Sequence, residues 1–316
     1  MRGLGALYRK ELSDHLSSYR FLLLFALIAM VSLTTVYAAG IHLVRELEGA
    51  ARPRHVFLLL FTASGFGVSL TQFVALFGPL VGLVLGFDAV NRERNEGTLS
   101  KLLAQPIHRD AVINGKFLAG LTVIAVLVVS ILGLVTGLGL IAVGATPGPE
   151  ELCRVAVYAA VSILYIAFWL GVALLFSILF RSVATSALAG VATWLFFSFF
   201  LTLAAGAVAS AAAPEAGDPE ALVSRIQVER AVSLLSPLEL YSHATAALID
   251  PMRRTTRSVV TLGMLEQLSL SRFSGPLPLA DSVLMVMPYL VALLALASVC
   301  FAVSYAVFLR QEIRSV

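Results

Sequence analysis

An all-α membrane protein with six transmembrane helices is what the sequence predicts, and three observations predict it. Hydrophobic residues make up 59% of the 316 residues and charged residues only 13%, with mean hydropathy +0.92. Soluble domains carry about 25% charged residues, so a water-soluble globular fold is excluded. Second, a helix needs about 20 mostly apolar residues to cross the hydrocarbon core, and six runs reach that length: 21–41, 67–87, 117–143, 155–179, 184–209 and 283–309. Third, the stretches left over, 1–20, 88–116 and 210–282, leave no room for an ordinary soluble domain. Residues 1–316 therefore read as one transmembrane unit.

At the start of the chain, Leu4, Leu7, Tyr8, Leu12, Leu16 and Tyr19 recur at helical spacing, while Arg9, Lys10, Ser13 and Asp14 fill other faces. The pattern predicts an amphipathic helix lying in the inner interface, its basic groups against lipid headgroups. The first span follows without a small-residue cleavage pattern close behind it and reads as an anchor rather than a cleaved leader. A charged loop with Arg45, Glu46, Glu48, Arg52 and Arg54 comes next, then the short apolar run 56–61, expected as an interfacial segment.

Span two carries Gly78, Gly82 and Gly86 at four-residue spacing. That strips side chains from one face and lets another helix approach closely; a helix of this chain and one of a second copy both fit the pattern. Pro79 predicts a kink there.

Residues 88–116 form the most polar short segment, with both charge signs, Gly97, Pro106 and an apolar helical face of Leu99, Leu102 and Leu103. Such a loop suits docking. Between spans five and six, residues 210–282 predict several short outer helices, some partly sunk into the membrane. The breakers Pro214, Gly217 and Pro219 precede one, Pro237 opens another, and a further helical run covers 259–270 beyond Arg253, Arg254 and Arg257.

Basic residues near span ends stay on the cytoplasmic side. With the N-terminus inside, the inner segments hold Arg2, Arg9, Lys10 and Arg20, then Arg92, Arg94, Lys101, Arg109 and Lys116, then Arg181, Arg310 and Arg314. The short outer loops hold only Arg45, Arg52, Arg54 and the boundary residue Arg154. Both termini and residues 88–116 are expected in the cytoplasm.

Several chemistries have no support. No phosphate-binding glycine loop occurs, since Gly115-Lys116 is followed by Phe117. The five histidines are scattered over loops, no metal-binding spacing is present, and Cys153 and Cys300 fall at different depths. The six runs contain no Asp, Glu, Lys, Arg or His, which disfavours an ion-coupled carrier. A secondary transporter and a non-transporting structural subunit stand as the rival readings, and co-purification of an ATPase separates them from the leading one.

The opening Tyr8-Arg9-Lys10-Glu11-Leu12, the six spans, and the loop Glu93-x-x-Glu96-Gly97-Thr98-Leu99-x-x-Leu102-Leu103-x-x-Pro106-Ile107-x-Arg109 ending in Gly115-Lys116 resemble the type-2 ABC exporter permeases. Within that superfamily the chain looks most like the permease of nitrous-oxide-reductase maturation systems. It shares Ser13-Asp14 after the opening, the exit Gly86-Phe87-Asp88-Ala89 and Ser236-Pro237-x-x-x-Tyr241, and departs in its longer outer segment. The resemblance implies a cell-membrane permease that pairs with a second copy and with two cytoplasmic ATPase subunits. It also implies that residues 88–116 act as a coupling helix, with Glu93, Glu96, Gly97, Thr98, Leu99, Leu102 and Leu103 at the ATPase contact. ATP and magnesium then belong to the partner, no cofactor to this chain. An extracytoplasmic protein is a possible further partner, nucleic acid is not.

Overall fold

The structure, a computed structural model, describes residues 3–47, 55–62, 68–105, 107–144, 146–212, 219–251 and 277–311. Among these the chain is helical throughout, without a strand. The elements are α1 (Leu4–Leu16), α2 (Tyr19–Leu47), α3 (Val56–Thr62), α4 (Leu70–Gly86), α5 (Asn91–Asn95), α6 (Thr98–Leu103), α7 (Arg109–Val143), α8 (Pro149–Leu179) and α9 (Val183–Leu195). A π-helical turn, Phe196–Phe200, joins α9 to α10 (Leu201–Ala212); α11 (Pro219–Ser233), α12 (Pro237–Ile249) and α13 (Leu279–Arg310) complete the chain. Among the described residues six helices are long and apolar enough to span a membrane: Tyr19–Arg45, Leu70–Asn95, Arg109–Ile141, Pro149–Leu179, Val183–Ala211 and Leu279–Arg310. Each contains or overlaps one of the predicted runs. The protein is an all-α, multi-pass membrane protein.

Span four, α8, is the central post. It packs on α4, α7, α12 and α13 and is 78% buried, whereas spans five and six are 11% and 17% buried. Lipid tails are as apolar as leucine, so helices associate in a membrane by close packing and polar contacts. Both operate on α8. Gly78, Gly82 and Gly86 line up against Ile166, Leu170 and Ala173, and a β-carbon on Gly82 would lie 2.5 Å from the Ile166 carbonyl oxygen. The glycine face thus meets a helix of the same chain. On the polar side, Tyr165 Oη donates to the Ala75 carbonyl at 2.8 Å and Ser162 Oγ pairs with Tyr241 Oη at 2.8 Å.

The run expected as an interfacial segment folds differently. In α3, Phe57, Leu58, Leu60 and Phe61 are at most 1% exposed, because seven residues that are apolar on every side gain more by packing against α2, α4 and α12 than by lying at a surface.

One end of the bundle, called here the near end, gathers α1, α5, α6 and the last turn of α13. Tyr8 Oη meets Thr122 Oγ1 at 3.0 Å, and Arg109 donates to the Gln311 carbonyl at 3.3 Å. The far end is closed by Arg154, fully buried, which donates to the carbonyls of Leu248 (3.0 Å) and Leu277, to Ser282 Oγ (3.2 Å) and to Glu150. Read in the loop count as a boundary charge, it ties α8, α12 and α13 together.

Of the outer segment, α11 packs along α10 and α12 returns into the bundle. Ser236 reaches the Phe197 carbonyl at the centre of span five, and Tyr241 reaches Ser162 at the centre of α8. Arg253, Arg254, Arg257 and the run 259–270 lie outside the described residues.

Candidate functional site

The near-end loop is built on the exit from α4. Phe87 caps that helix, and its carbonyl accepts from Asn91 Nδ2 (3.2 Å) and Ser186 Oγ (2.8 Å). Ser177 Oγ in turn accepts from the backbone N–H groups of Val90 (2.8 Å) and Asn91 (3.1 Å). Orphan backbone groups at a helix end are thereby satisfied by side chains of α8 and α9. Gly97 then reverses the chain between α5 and α6 with φ +69°, a left-handed conformation that costs a side-chain-bearing residue about 1–2 kcal/mol. Ser100 Oγ donates back to the Gly97 carbonyl at 2.9 Å.

Leu99 and Leu102 of α6 turn toward the bundle. Leu99 is 1% exposed and sits in a cluster with Leu7, Val90, Val112, Ile113, Leu174, Ile178 and Phe308, against which Leu102 is also packed. The resemblance implied Leu99 and Leu102 as residues of an ATPase contact. The bundle has its own use for them, because a six-residue helix with one apolar face gains most by burying it against α1, α7, α8 and α13. The side chain of Leu103 lies outside the described residues. Glu96, Gly97 and Thr98 form the exposed tip, flanked by Asn95 and Ser100.

Beneath the tip lies an ion cluster that sequence reading missed. Lys116 Nζ lies 2.8 Å from Glu93 Oε1 and 3.1 Å from Glu11 Oε1, and Lys10 approaches Glu11 (3.1 Å), Asp14 (3.5 Å) and Glu93 (3.6 Å). Lys116 and Glu11 are buried. Burial pushes the Glu11 carboxyl up, but Lys116 and Lys10 outweigh it and hold it below its ordinary value. Burial likewise pushes Lys10 down, and Glu11, Glu93 and Asp14 outweigh that, leaving it raised. Glu93, which the resemblance implied at the ATPase contact, is half-buried in this cluster. The available signal was a lysine set directly before a 27-residue apolar run, at 117–143.

Around the cluster, Arg20 and Arg92 reach Asp88, Arg92 reaches Glu96 at 2.9 Å, Arg94 donates to Gln311 Oε1, and Asn95 Nδ2 donates to the Arg181 carbonyl at 3.0 Å. A groove of about 660 Å³ runs between α1, α2, α4, α5 and α7, polar at Lys10, His15 and Arg20 and apolar at Phe21, Leu24 and Val84. Burial holds His15 below its ordinary value. Among the described residues no group of three or more His, Cys, Asp or Glu side chains could hold a metal. The loop is thus exposed at its tip and held at its base by the ion cluster and by buried Leu99.

These features define a class: a polytopic membrane protein with a braced polar loop at the end where its first and last helices meet. The chain belongs to the ABC-2 family transporter proteins, whose sequence profile matches residues 5–313. No curated protein matches the chain.

Proposed function

We propose that the chain is the permease subunit of an ATP-driven exporter or mechanotransmission complex, and that the tip Glu96-Gly97-Thr98 is its contact with a cytoplasmic ATPase subunit. The observation that supports this most is the contrast within one loop. Its tip is exposed and polar, while its base is held by buried Leu99 and by the Lys116–Glu93 pair. A push on such a tip moves α4, α7 and α1 together instead of bending the loop.

In this reading the near end, both termini and residues 88–116 lie in the cytoplasm, in keeping with the excess of Arg and Lys there. Two permease copies engage two ATPase subunits, one loop each, since closed twofold symmetry is the commonest arrangement of such pairs. A cavity bounded by Phe73, Leu127 and Tyr158 measures about 30 Å³, room for little more than a water molecule. In this reading an amphipathic cargo travels between copies, or motion passes to an outer protein. The likeness to nitrous-oxide-reductase maturation permeases in Ser236-Pro237-x-x-x-Tyr241 favours an extracytoplasmic partner. ATP and magnesium are bound by the ATPase subunit.

Affinity purification of the tagged chain from its native membrane tests this. An ATPase chain is expected in equal number to the permease, with ATP hydrolysis only in the complex. Hydrolysis by the isolated chain, or an intact permease that brings down no ATPase, would overturn the proposal.

A further inference from the structure

The charges of the near end fall into two groups. On the α1 side, Lys10, Lys116, Arg20 and Arg92 share the carboxylates of Glu11, Asp14, Asp88, Glu93 and Glu96. Around Gln311, the residue after α13, the balance differs. Arg94 of α5 donates to Gln311 Oε1, and Arg109 at the start of α7 donates to the Gln311 carbonyl at 3.3 Å. Gln311 Nε2 donates in turn to the carbonyl of Ile178 in the last turn of α8, at 3.0 Å. In the turn that follows α8, the Arg181 carbonyl accepts from Asn95 at 3.0 Å, and the charges of Arg181 and Arg94 lie close enough to repel. Three arginines from three parts of the chain thus gather at one place. Among the described residues none of them has an ion-pair partner. The Asp110 carboxylate, next in sequence to Arg109, accepts instead from the Ala111 N–H at 2.9 Å.

Like charges held together repel, and a bound anion relieves them. Where the cluster stands says which anion. Arg181 follows the apolar run 155–179 by two residues, and Gln311 follows the run 283–309 by two, which is about 3 Å along a helix axis. The headgroup layer is roughly 5–7 Å deep on each face of a bilayer, so the cluster lies within it. Arg109 and Arg181 are exposed and Arg94 is half-buried. A guanidinium has five donors; Arg94 and Arg109 each use one on Gln311, and Arg181 uses none. Two residues back along their helices from Arg181 and Gln311, on the membrane side, stand the exposed Leu179 and Leu309.

We propose that Arg94, Arg109 and Arg181 form a surface site for the phosphate of an anionic phospholipid of the inner leaflet, whose acyl chains lie outside the protein along Leu179 and Leu309. The cytoplasmic leaflet carries the negative surface potential, and guanidinium groups match phosphate oxygens in paired hydrogen bonds. The site goes beyond the permease reading, since it needs the near end in the cytoplasm but no ATPase. Its consequence falls on the loop: Arg94 lies two residues before Glu96, so a bound headgroup adds a further support to the exposed tip.

The test uses the full-length chain in detergent micelles supplied with equal amounts of dioleoyl phosphatidylglycerol and dioleoyl phosphatidylcholine, which share acyl chains and differ in net headgroup charge. Bound lipid is counted by native mass spectrometry. Wild type is expected to retain phosphatidylglycerol about tenfold over phosphatidylcholine, and Arg94→Gln with Arg181→Gln to lose that preference. Arg45→Gln with Arg225→Gln removes the same charge at the far end and is expected to keep it. So is wild type in millimolar glycerol phosphate, which carries the phosphate without acyl chains. Equal retention of the two lipids by wild type, an unchanged preference in the near-end variant, an equal loss in the far-end variant, or displacement by glycerol phosphate would each overturn the site. A preference that emerges only in Glu312→Gln would overturn it too, by making the chain's own Glu312 the occupant. The wild-type comparison of the two lipids stands even if a variant folds poorly. Lipid is read on the permease alone, so a chain that brings down its ATPase and shows no lipid preference refutes the site alone. A chain with the preference and no ATPase refutes the permease reading alone.

Discussion

Lys116 at the start of α7 lies 2.8 Å from Glu93 in the loop and 3.1 Å from Glu11 in α1, and its side chain is only 4% exposed. One buried cation thus holds three elements. Removing one partner of a buried ion pair leaves the others uncompensated, at about 3–5 kcal/mol. Lys10 still faces Glu11 and Glu93, so Lys116→Met is expected to destabilise the solubilised chain toward the lower end of that range, with a lower thermal midpoint, and to loosen α1. Glu93→Gln keeps Glu11 paired and is expected to cost less. Fluorescence-detected thermal unfolding of both variants checks the order; a Lys116→Met chain as stable as wild type would remove the cluster from the fold's supports.

The same cluster makes α1 sensitive to acid, and the direction follows from the shifted groups. His15 is held below its ordinary 6.5 by burial, so the undocked helix binds the proton more readily and docking weakens as pH falls below about 6.5. Glu11, held below its ordinary 4.5 by the lysines despite burial, contributes stability above 4.5 that is lost as pH falls through its lower folded value. Acidification therefore loosens α1 in two steps of the same sign. Hydrogen exchange of residues 4–16 between pH 8 and 5 is expected to quicken beyond its intrinsic pH dependence, and His15→Gln to abolish that first step.

The spans were legible because twenty apolar residues in a row have one stable use in a membrane. The ion cluster was not. Glu11 and Lys116 are 105 positions apart, and helical periodicity says that a side chain has a face without saying what the face meets. The burial of Leu99 was illegible for the same reason, since a leucine there suits a partner's groove and the chain's own core equally well.

The contact of α4 with α8 gives a graded prediction. A β-carbon on Gly82 would meet backbone atoms, the Ile166 oxygen at 2.5 Å and the Leu170 nitrogen at 2.7 Å, whereas on Gly78 it would meet the Ile166 side chain at 3.2 Å. Backbone cannot rotate aside. Gly82→Ala is expected to cost at least the 1–3 kcal/mol typical of overpacking, and Gly78→Ala less. Gly133→Ala, with nothing within 4 Å, should be near neutral, and equal thermal midpoints for all three would contradict the packing.

Arg154 offers a test at the far end. It is fully buried and satisfies carbonyls of Leu248 and Leu277 as well as Ser282 and Glu150. Lysine has a single donor head and cannot reproduce the planar fork. Both Arg154→Lys and Arg154→Met are expected to destabilise the chain, the latter by several kcal/mol because it also strands acceptors in a buried place. Limited proteolysis between α12 and α13 should accelerate in both.

The loop separates support from contact in a way that two sets of variants resolve. Leu99 is buried among Leu7, Ile113, Ile178 and Phe308, so Leu99→Asp places a carboxylate in an apolar cluster without a partner, and loss of the folded chain from the membrane is expected. Glu96 and Thr98 are exposed, and the Arg92–Glu96 pair is a surface bridge worth at most about 1 kcal/mol. Glu96→Lys with Thr98→Lys should therefore leave yield and thermal midpoint close to wild type. If the tip is the ATPase contact, that double variant loses the ATPase on purification while Leu99→Asp loses the permease itself. The reverse pattern, a stable Leu99→Asp chain without its ATPase beside a double variant that keeps it, would show that the leucine face leaves the bundle to dock, and the braced tip would lose its role.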